Sequence, residues 1–352
     1  MATHVYAGAA HVAAGTTSSE SGGLFRRAIG DTRWQRLGGG LPADVEVRAI
    51  AVHPRDPRVI YAGTQYGPYR SQDGGERWAA LPFPDPAMTV WSFLFSPRDP
   101  RVLYAGTAPA AVYKSENGGD TWRRLSALKS PGHVKMSFDT RVTRLAADFG
   151  NPDELYAGLE VDGVLRSLDG GATWDDVSGD LIKLADRPHL KSRIVSDTEI
   201  EGMMDTHALA VSSAAPGAVF LAVRMGLFKS ADRGATWSDM EIGRFSPLTY
   251  ARDVQVSPHD PRVLYACLSP AARSEDGSLY TSTDLGQSWR RLDHGVKARS
   301  TMMAMALHAK DPAHVYCATR GGQVFGTQDG GRTWGEYPLP EGVADVYTVA
   351  CC

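Results

Sequence analysis

Excess positive charge is missing from this chain. Its 37 Lys and Arg residues stand against 40 Asp and Glu, a formal net charge of −3, with both signs mixed along the sequence. A nucleic-acid footprint needs a basic face or stripe, so that class of partner is excluded at the outset. Long apolar runs are missing as well. No stretch approaches the roughly 20 residues that a spanning helix requires, and no membrane partner is expected. Cysteine is scarce: Cys267, Cys317, Cys351 and Cys352 are the only four, and they form no metal-type C-x-x-C pattern. In an intracellular protein they would be free thiols. The opening MATHVYAGAAHVAAG has no basic start and no continuous apolar core. No signal peptide is expected from it, and the location it implies is cytoplasmic.

What the chain has in abundance is one turn. Ser167-Leu168-Asp169-Gly170-Gly171-Ala172-Thr173-Trp174 recurs as SQDGGERW ending at Trp78, SENGGDTW at Trp122, SADRGATW at Trp237, STDLGQSW at Trp289 and TQDGGRTW at Trp334. A worn copy ends GDTRW at Trp34. The Ser or Thr hydroxyl and the Asp carboxylate suit hydrogen bonds to turn amides, Gly supplies positive φ, and Trp covers the turn. Around each turn runs the same unit. From Glu46 to Trp78 it reads VRAIAV, the turn HPRDP, VIYAGT, a third strand at Tyr69 and Arg70, and the repeated turn into a fourth. Alternating apolar residues bounded by Pro and Asp predict strands, and four strands per unit predict a propeller blade.

This frame resembles the Asp-box (BNR) repeat of sialidase-like, glycosyl-hydrolase-like β-propellers. The resemblance extends over essentially the whole chain and implies an all-β seven-bladed propeller of four-stranded antiparallel blades, one domain over 1–352. It also implies that the boxes lie on the face away from the active site. The seventh blade is split: the chain opens at a second strand, HVYAG, and ends with DVYTVACC, which matches an innermost strand. Pairing the two ends would close the ring and remove an open edge.

The spacing of the box tryptophans locates insertions before the innermost strands of units three and four (125–140 and 178–204) and within unit five (269–278). In an up-and-down blade all three open on the face opposite the boxes, where function in repeat folds usually sits. The segment 178–204 is expected over the axial mouth, its spaced Leu181, Ile182, Leu184 and Leu190 forming a short helix or lid.

Aligning the innermost strands gives a ring of equivalent positions: Arg48, Trp91, Thr143, His207, Arg252, Met303 and Tyr347. Two residues earlier, on the same side of each strand, lie Glu46, Thr89, Arg141, Asp205, Tyr250, Thr301 and Asp345. The intermediate set, Val47, Val90, Val142, Thr206, Ala251, Met302 and Val346, is mostly apolar and is expected to pack between blades. Arg48, Arg141 and Arg252 could clamp an anion, with Glu46 and Asp345 beside them. Trp91 either stacks on a ligand or packs against the wall. His207, beside Asp205 and after Glu201, is the candidate general base, with Tyr250 and Tyr347 as hydroxyl donors. The plain alternative is that these polar side chains are hydrated or paired with one another. No cofactor is required by the sequence. A divalent metal, if bound, would draw on His207, Asp205, His133 and His11.

Three arginines, a tyrosine and carboxylates resemble the sialidase inventory, but the F-R-I-P motif of sialidases is absent from Leu24 to Ile29. The expected function is an intracellular hydrolase, glycosidase-like, or a lyase, acting on a small anionic or carbohydrate-like ligand at the axial pocket. A metal-dependent propeller enzyme and a non-catalytic binding or assembly platform are the alternatives.

Overall fold

The computed structural model describes residues 3–10, 22–86, 88–125, 128–191 and 198–352. Their strands form seven sheets, each of four antiparallel strands and six of them in sequence order, and the innermost strands touch in cyclic order around one axis. The fold expected from the repeats is therefore the fold observed. The seventh sheet is the split one: the C-terminal strand Val346–Cys351 pairs antiparallel with His4–Ala9, with Val5 opposite Cys351 and Ala7 opposite Val349. Among the described residues no helix is long and apolar enough to cross a membrane, and all four cysteines are free. Burial pushes the thiols of Cys267 and Cys317 well up, which makes them poor nucleophiles.

The repeated turn works through its first hydroxyl. Ser167 Oγ is buried, accepts from the Gly171 amide at 2.8 Å and donates to Asp169 Oδ1 at 2.8 Å. That carboxylate in turn accepts from the Thr173 amide at 2.8 Å. The same three bonds recur at Ser71, Ser230, Ser282 and Thr327. Gly171 sits at φ +90°, and a Cβ there would come within 2.4 Å of Leu125, so both the backbone and the neighbouring blade require glycine.

One feature of the innermost strands was not read from the sequence. In every blade the pairing to the second strand skips one residue, a β-bulge, and the residue skipped is Arg48, Trp91, Thr143, His207, Arg252, Met303 or Tyr347. A bulged residue leaves the ladder and re-aims its side chain. The preceding residues, Val47, Val90, Val142, Thr206, Ala251, Met302 and Val346, are all 0% exposed. They pack between blades, as expected.

Among the described residues of 178–204 two short helices form, α1 (Gly179–Leu184) and α2 (Ile200–Met204). Leu181, Leu184, Leu190, Met203 and Met204 are buried in one apolar cluster with Val219, Leu221, Val223 and Trp237 of the fourth blade. The helix expected near Leu181 is present, but its apolar side chains are spent on the blade, and none of the segment's described residues lines the axial cavity.

Candidate functional site

All seven bulge residues border one axial cavity of about 410 Å³. The skipped position thus becomes a ring of side chains gathered from distant parts of the chain. Below the ring two lining residues form a bridge, Arg144 Nη2 of the third blade meeting Asp253 Oδ1 of the fifth at 2.6 Å. Asp253 also accepts from the Met305 amide of the sixth blade.

Above the ring the charged residues are mostly paired. Arg48 is bonded to Glu46 and is held between two rings, its guanidinium carbon 4.8 Å from the Trp91 centroid and 4.6 Å from that of Tyr347. Trp91 and Tyr347 meet edge to face at 5.5 Å. Arg141 pairs with Glu160 and lies 4.3 Å from Trp91 and 5.1 Å from the exposed Phe138. Of the two readings of Trp91, these contacts favour packing: its indole already carries two guanidinium groups. Asp345 accepts from Arg320 Nε at 2.6 Å.

The partners Glu160 and Arg320 were missed by sequence reasoning, as was Arg224. Each is the residue directly after a second strand, at the ends of LYAGL, VYCAT and VFLAV. Gln65 occupies the same place after IYAGT, where its Oε1 accepts from the Glu46 amide at 2.8 Å. Aligning second strands as well as innermost ones would have exposed this set.

At the fourth blade, Arg224 Nε and Nη2 both donate to Asp205 Oδ2, at 3.1 and 2.8 Å. His207 Nε2 lies 3.2 Å from the same oxygen, and the Tyr250 hydroxyl is 3.3 Å from that nitrogen. The other ring nitrogen, Nδ1, is 2.7 Å from the Ala251 carbonyl of the next blade. Thr143, the equivalent residue one blade earlier, makes the same link, its Oγ1 donating to the Thr206 carbonyl at 2.8 Å. His207 is thus an inter-blade latch. The expectation that it is a general base is corrected: it borders the cavity, yet its side chain is 2% exposed and both nitrogens are engaged.

Burial pushes the His207 pKa down, and Arg252 adds to this against the opposing pull of Asp205. The carbonyl acceptor fixes the proton of the neutral ring on Nδ1, leaving Nε2 to accept from Tyr250. Burial alone would raise Asp205, but the surrounding His207, Arg224 and Arg252 outweigh it and hold the carboxyl well below the usual carboxylate range. With His207 neutral, the two arginines carry that effect. Burial raises the pKa of Tyr250. Glu160, which borders the cavity, moves the opposite way to Asp205: burial raises its pKa, Arg141 opposes and Asp205 adds to the rise.

Other predicted residues do not border the cavity: Glu46, Arg141, Asp205, Tyr250 and Asp345 are not among its lining residues. Glu201 is fully buried in α2 and does not border it. His133 is bonded to Asp176, on the outermost strand of the third blade, at 2.8 Å, because its loop is anchored there by the Gly132 and His133 amides on Asp162. His11 lies outside the described residues. The set proposed for a metal is therefore not assembled, and among the described residues no three His, Cys, Asp or Glu side chains could share an ion.

No family model matches the chain. The xyloglucanase Xgh74A of Acetivibrio thermocellus is 24% identical over 314 residues, covering 80% of this chain and 30% of that protein. The chain spans less than a third of the length of the curated relatives it matches. Among solved structures, the GH74 xyloglucanase from Xanthomonas campestris superposes with a TM-score of 0.63 at 20% identity, over 85% of this chain and 46% of that one. A structure described as YCF48 bound to D1 peptide gives a TM-score of 0.52 at 16% identity, over 82% and 80%. At these identities the structural likeness is one of fold.

Proposed function

We propose that this chain is a hydrolase acting on a sugar-like substrate held in the axial cavity, with Glu160 as the proton donor. The observation that carries this is the pair of neighbouring carboxyls driven apart: Glu160, on the cavity wall, is lifted by burial, while Asp205 is kept ionised by arginines. Environments that separate two carboxyls in this way suit the acid step of glycoside hydrolysis, in which the leaving oxygen must be protonated. Glu46, paired with Arg48 of the ring, supplies the second carboxylate that the reaction uses. Asp205 lies behind His207 and acts as a positioning residue, fixing the local potential. The relatives named xyloglucanases support sugar hydrolysis over the lyase alternative. We place the protein in the cytoplasm, in keeping with four cysteines that form no disulfide.

The test is a panel of aryl glycosides with wild type and Glu160→Gln. Loss of the acid should lower turnover by roughly 10²–10⁴-fold. Wild-type activity should fall as pH rises through the elevated Glu160 pKa, because the donor then loses its proton, and that limb should vanish in the variant. Unchanged turnover in Glu160→Gln would remove Glu160 from the reaction.

A second reading is a peptide-binding platform. It is favoured by the likeness to YCF48, which, unlike the xyloglucanase match, covers most of both chains. On that reading no glycoside is cleaved, and extended peptides bind at the mouth with the same affinity in wild type and Glu160→Gln.

A further inference from the structure

The joint between the sixth and seventh blades departs from the repeat at two positions. Gly23–Ala28 pairs with His4–Ala9 in the register that Gly67–Ser71 uses with Ile60–Thr64: Arg26 lies opposite Tyr6 as Arg70 lies opposite Tyr61. Arg27 therefore stands where Ser71 holds its turn, and a guanidinium replaces the buried hydroxyl. On the sixth blade the residue opposite Tyr316 is Gly326. The equivalent Arg26, Arg70 and Arg166 each donate to a carbonyl in the repeated turn of the following blade, and Tyr6 and Tyr61 make the same reach with their hydroxyls. Tyr316 is fully buried, yet its hydroxyl has no hydrogen-bond partner among the described residues. Arg27 is 1% exposed. Its Nη1 donates to the Ala28 and Asp31 carbonyls, and its guanidinium carbon lies 3.7 Å from the Tyr337 centroid, but Nε and Nη2 have no partner. Among the described residues every hydrogen bond it makes thus goes to a neutral group. Burial pulls the Arg27 pKa down, and Tyr337, Tyr316 and Asp31 do not make up the difference. Burial pushes Tyr316 up, so its hydroxyl keeps its proton and brings no charge.

A buried guanidinium without a paired charge, and buried donors without acceptors, are costly unless something answers them. The orphaned groups here are a guanidinium edge and a hydroxyl, all able to donate. A water would bring two more donors into a site already in excess of them, and no charge. We infer that a small inorganic anion of halide size is bound between the sixth and seventh blades, accepting from Arg27 Nε and Nη2 and from the Tyr316 hydroxyl. The size follows from the enclosure: a Cβ on Gly326 would come within 2.5 Å of the Tyr316 ring and 3.4 Å of Tyr337, which itself covers Arg27. Arg27 belongs to the opening strands of the split blade, and Tyr316 and Tyr337 to the sixth. The anion fastens one to the other where the hydroxyl-held turn is lost, so closure of the ring depends on it. Neither Arg27 nor Tyr316 lines the axial cavity, and the inference is independent of what that cavity binds.

Chloride, bromide and phosphate are titrated into the full chain in sodium gluconate at constant ionic strength, with the thermal unfolding midpoint as the readout. Chloride and bromide should raise the midpoint saturably. Crystals soaked in bromide should show an anomalous peak within hydrogen-bond reach of Arg27 and Tyr316. Tyr316→Phe, which keeps the packed ring, should weaken the apparent halide affinity about ten-fold, and Arg27→Met should abolish the halide effect. Equal midpoints in gluconate and chloride would overturn the inference, as would a site that holds only water after the bromide soak; neither result needs a variant to fold. Phosphate stabilising as strongly as chloride would overturn the assignment to a halide. An undiminished halide response in a folded Tyr316→Phe would overturn the placement at this joint.

Discussion

Replacing Arg224 by Met asks how much of the mouth is held by charge. Arg224 is 18% exposed at its side chain and Asp205 only 4%, and two guanidinium nitrogens fork onto one carboxylate oxygen. Removing one partner of a buried pair leaves the other charge uncompensated, at a cost of about 3–5 kcal/mol. Arg252 and His207 remain near Asp205 and Arg224 is partly solvated, which puts the expected loss near the lower end, about 3 kcal/mol. The pH dependence gives a second handle. The folded pKa of Asp205 is depressed, so its contribution is present above the unfolded value near 4 and is lost as pH falls through the lower folded value. In the variant the folded pKa rises, and Asp205 takes up a proton earlier in an acid titration, which relieves the unpaired charge. The penalty, measured by urea unfolding, should therefore shrink between about pH 7 and pH 4. Adding Asp205→Asn to the variant should recover part of the loss. A penalty below about 1 kcal/mol that is the same at both pH values would refute the reasoning.

Ser167→Ala strands the buried Gly171 amide and should cost about 1–3 kcal/mol in denaturant unfolding, with cavity binding unchanged; altered ligand affinity would contradict the assignment of this turn to stability. His207→Asn should flatten the pH dependence of stability between about pH 6.5 and 5. The wild-type folded pKa is depressed, so stability is full above the unfolded value and falls as pH drops below it; an equally steep loss in the variant would exclude this latch as the source. Trp91→Ala removes the ring between two guanidinium groups and should cost about 1–3 kcal/mol, visible as a lowered unfolding midpoint; no loss would mean that those contacts carry no energy.

The fold was legible because its signals are local. A hydroxyl, a carboxylate or its amide counterpart and a left-handed glycine within a few residues dictate one turn, and six such copies with a seventh worn one dictate one architecture. The ring from Arg48 to Tyr347 was legible for a related reason, since strand alignment finds equivalent positions whatever occupies them. The bulge at those positions was not, because a skipped pairing changes no residue type. The ion pairs escaped for another reason. Glu160, Arg224 and Arg320 sit on the neighbouring strand of their own blade, and only the pairing brings each against Arg141, Asp205 or Asp345. His207 looked catalytic in one dimension because its neighbours in the chain are acidic. In three dimensions it does for its blade what Thr143 does for the one before.

A crystal structure of the protein soaked with a monosaccharide tests the central claim most directly, that the bulge ring makes the axial cavity the working site. The account predicts density for the sugar inside the ring, with its anomeric oxygen toward Glu160. Sugar bound on the outer wall or on the turn-bearing face, in crystals of an active protein whose axial cavity holds only water, would contradict it.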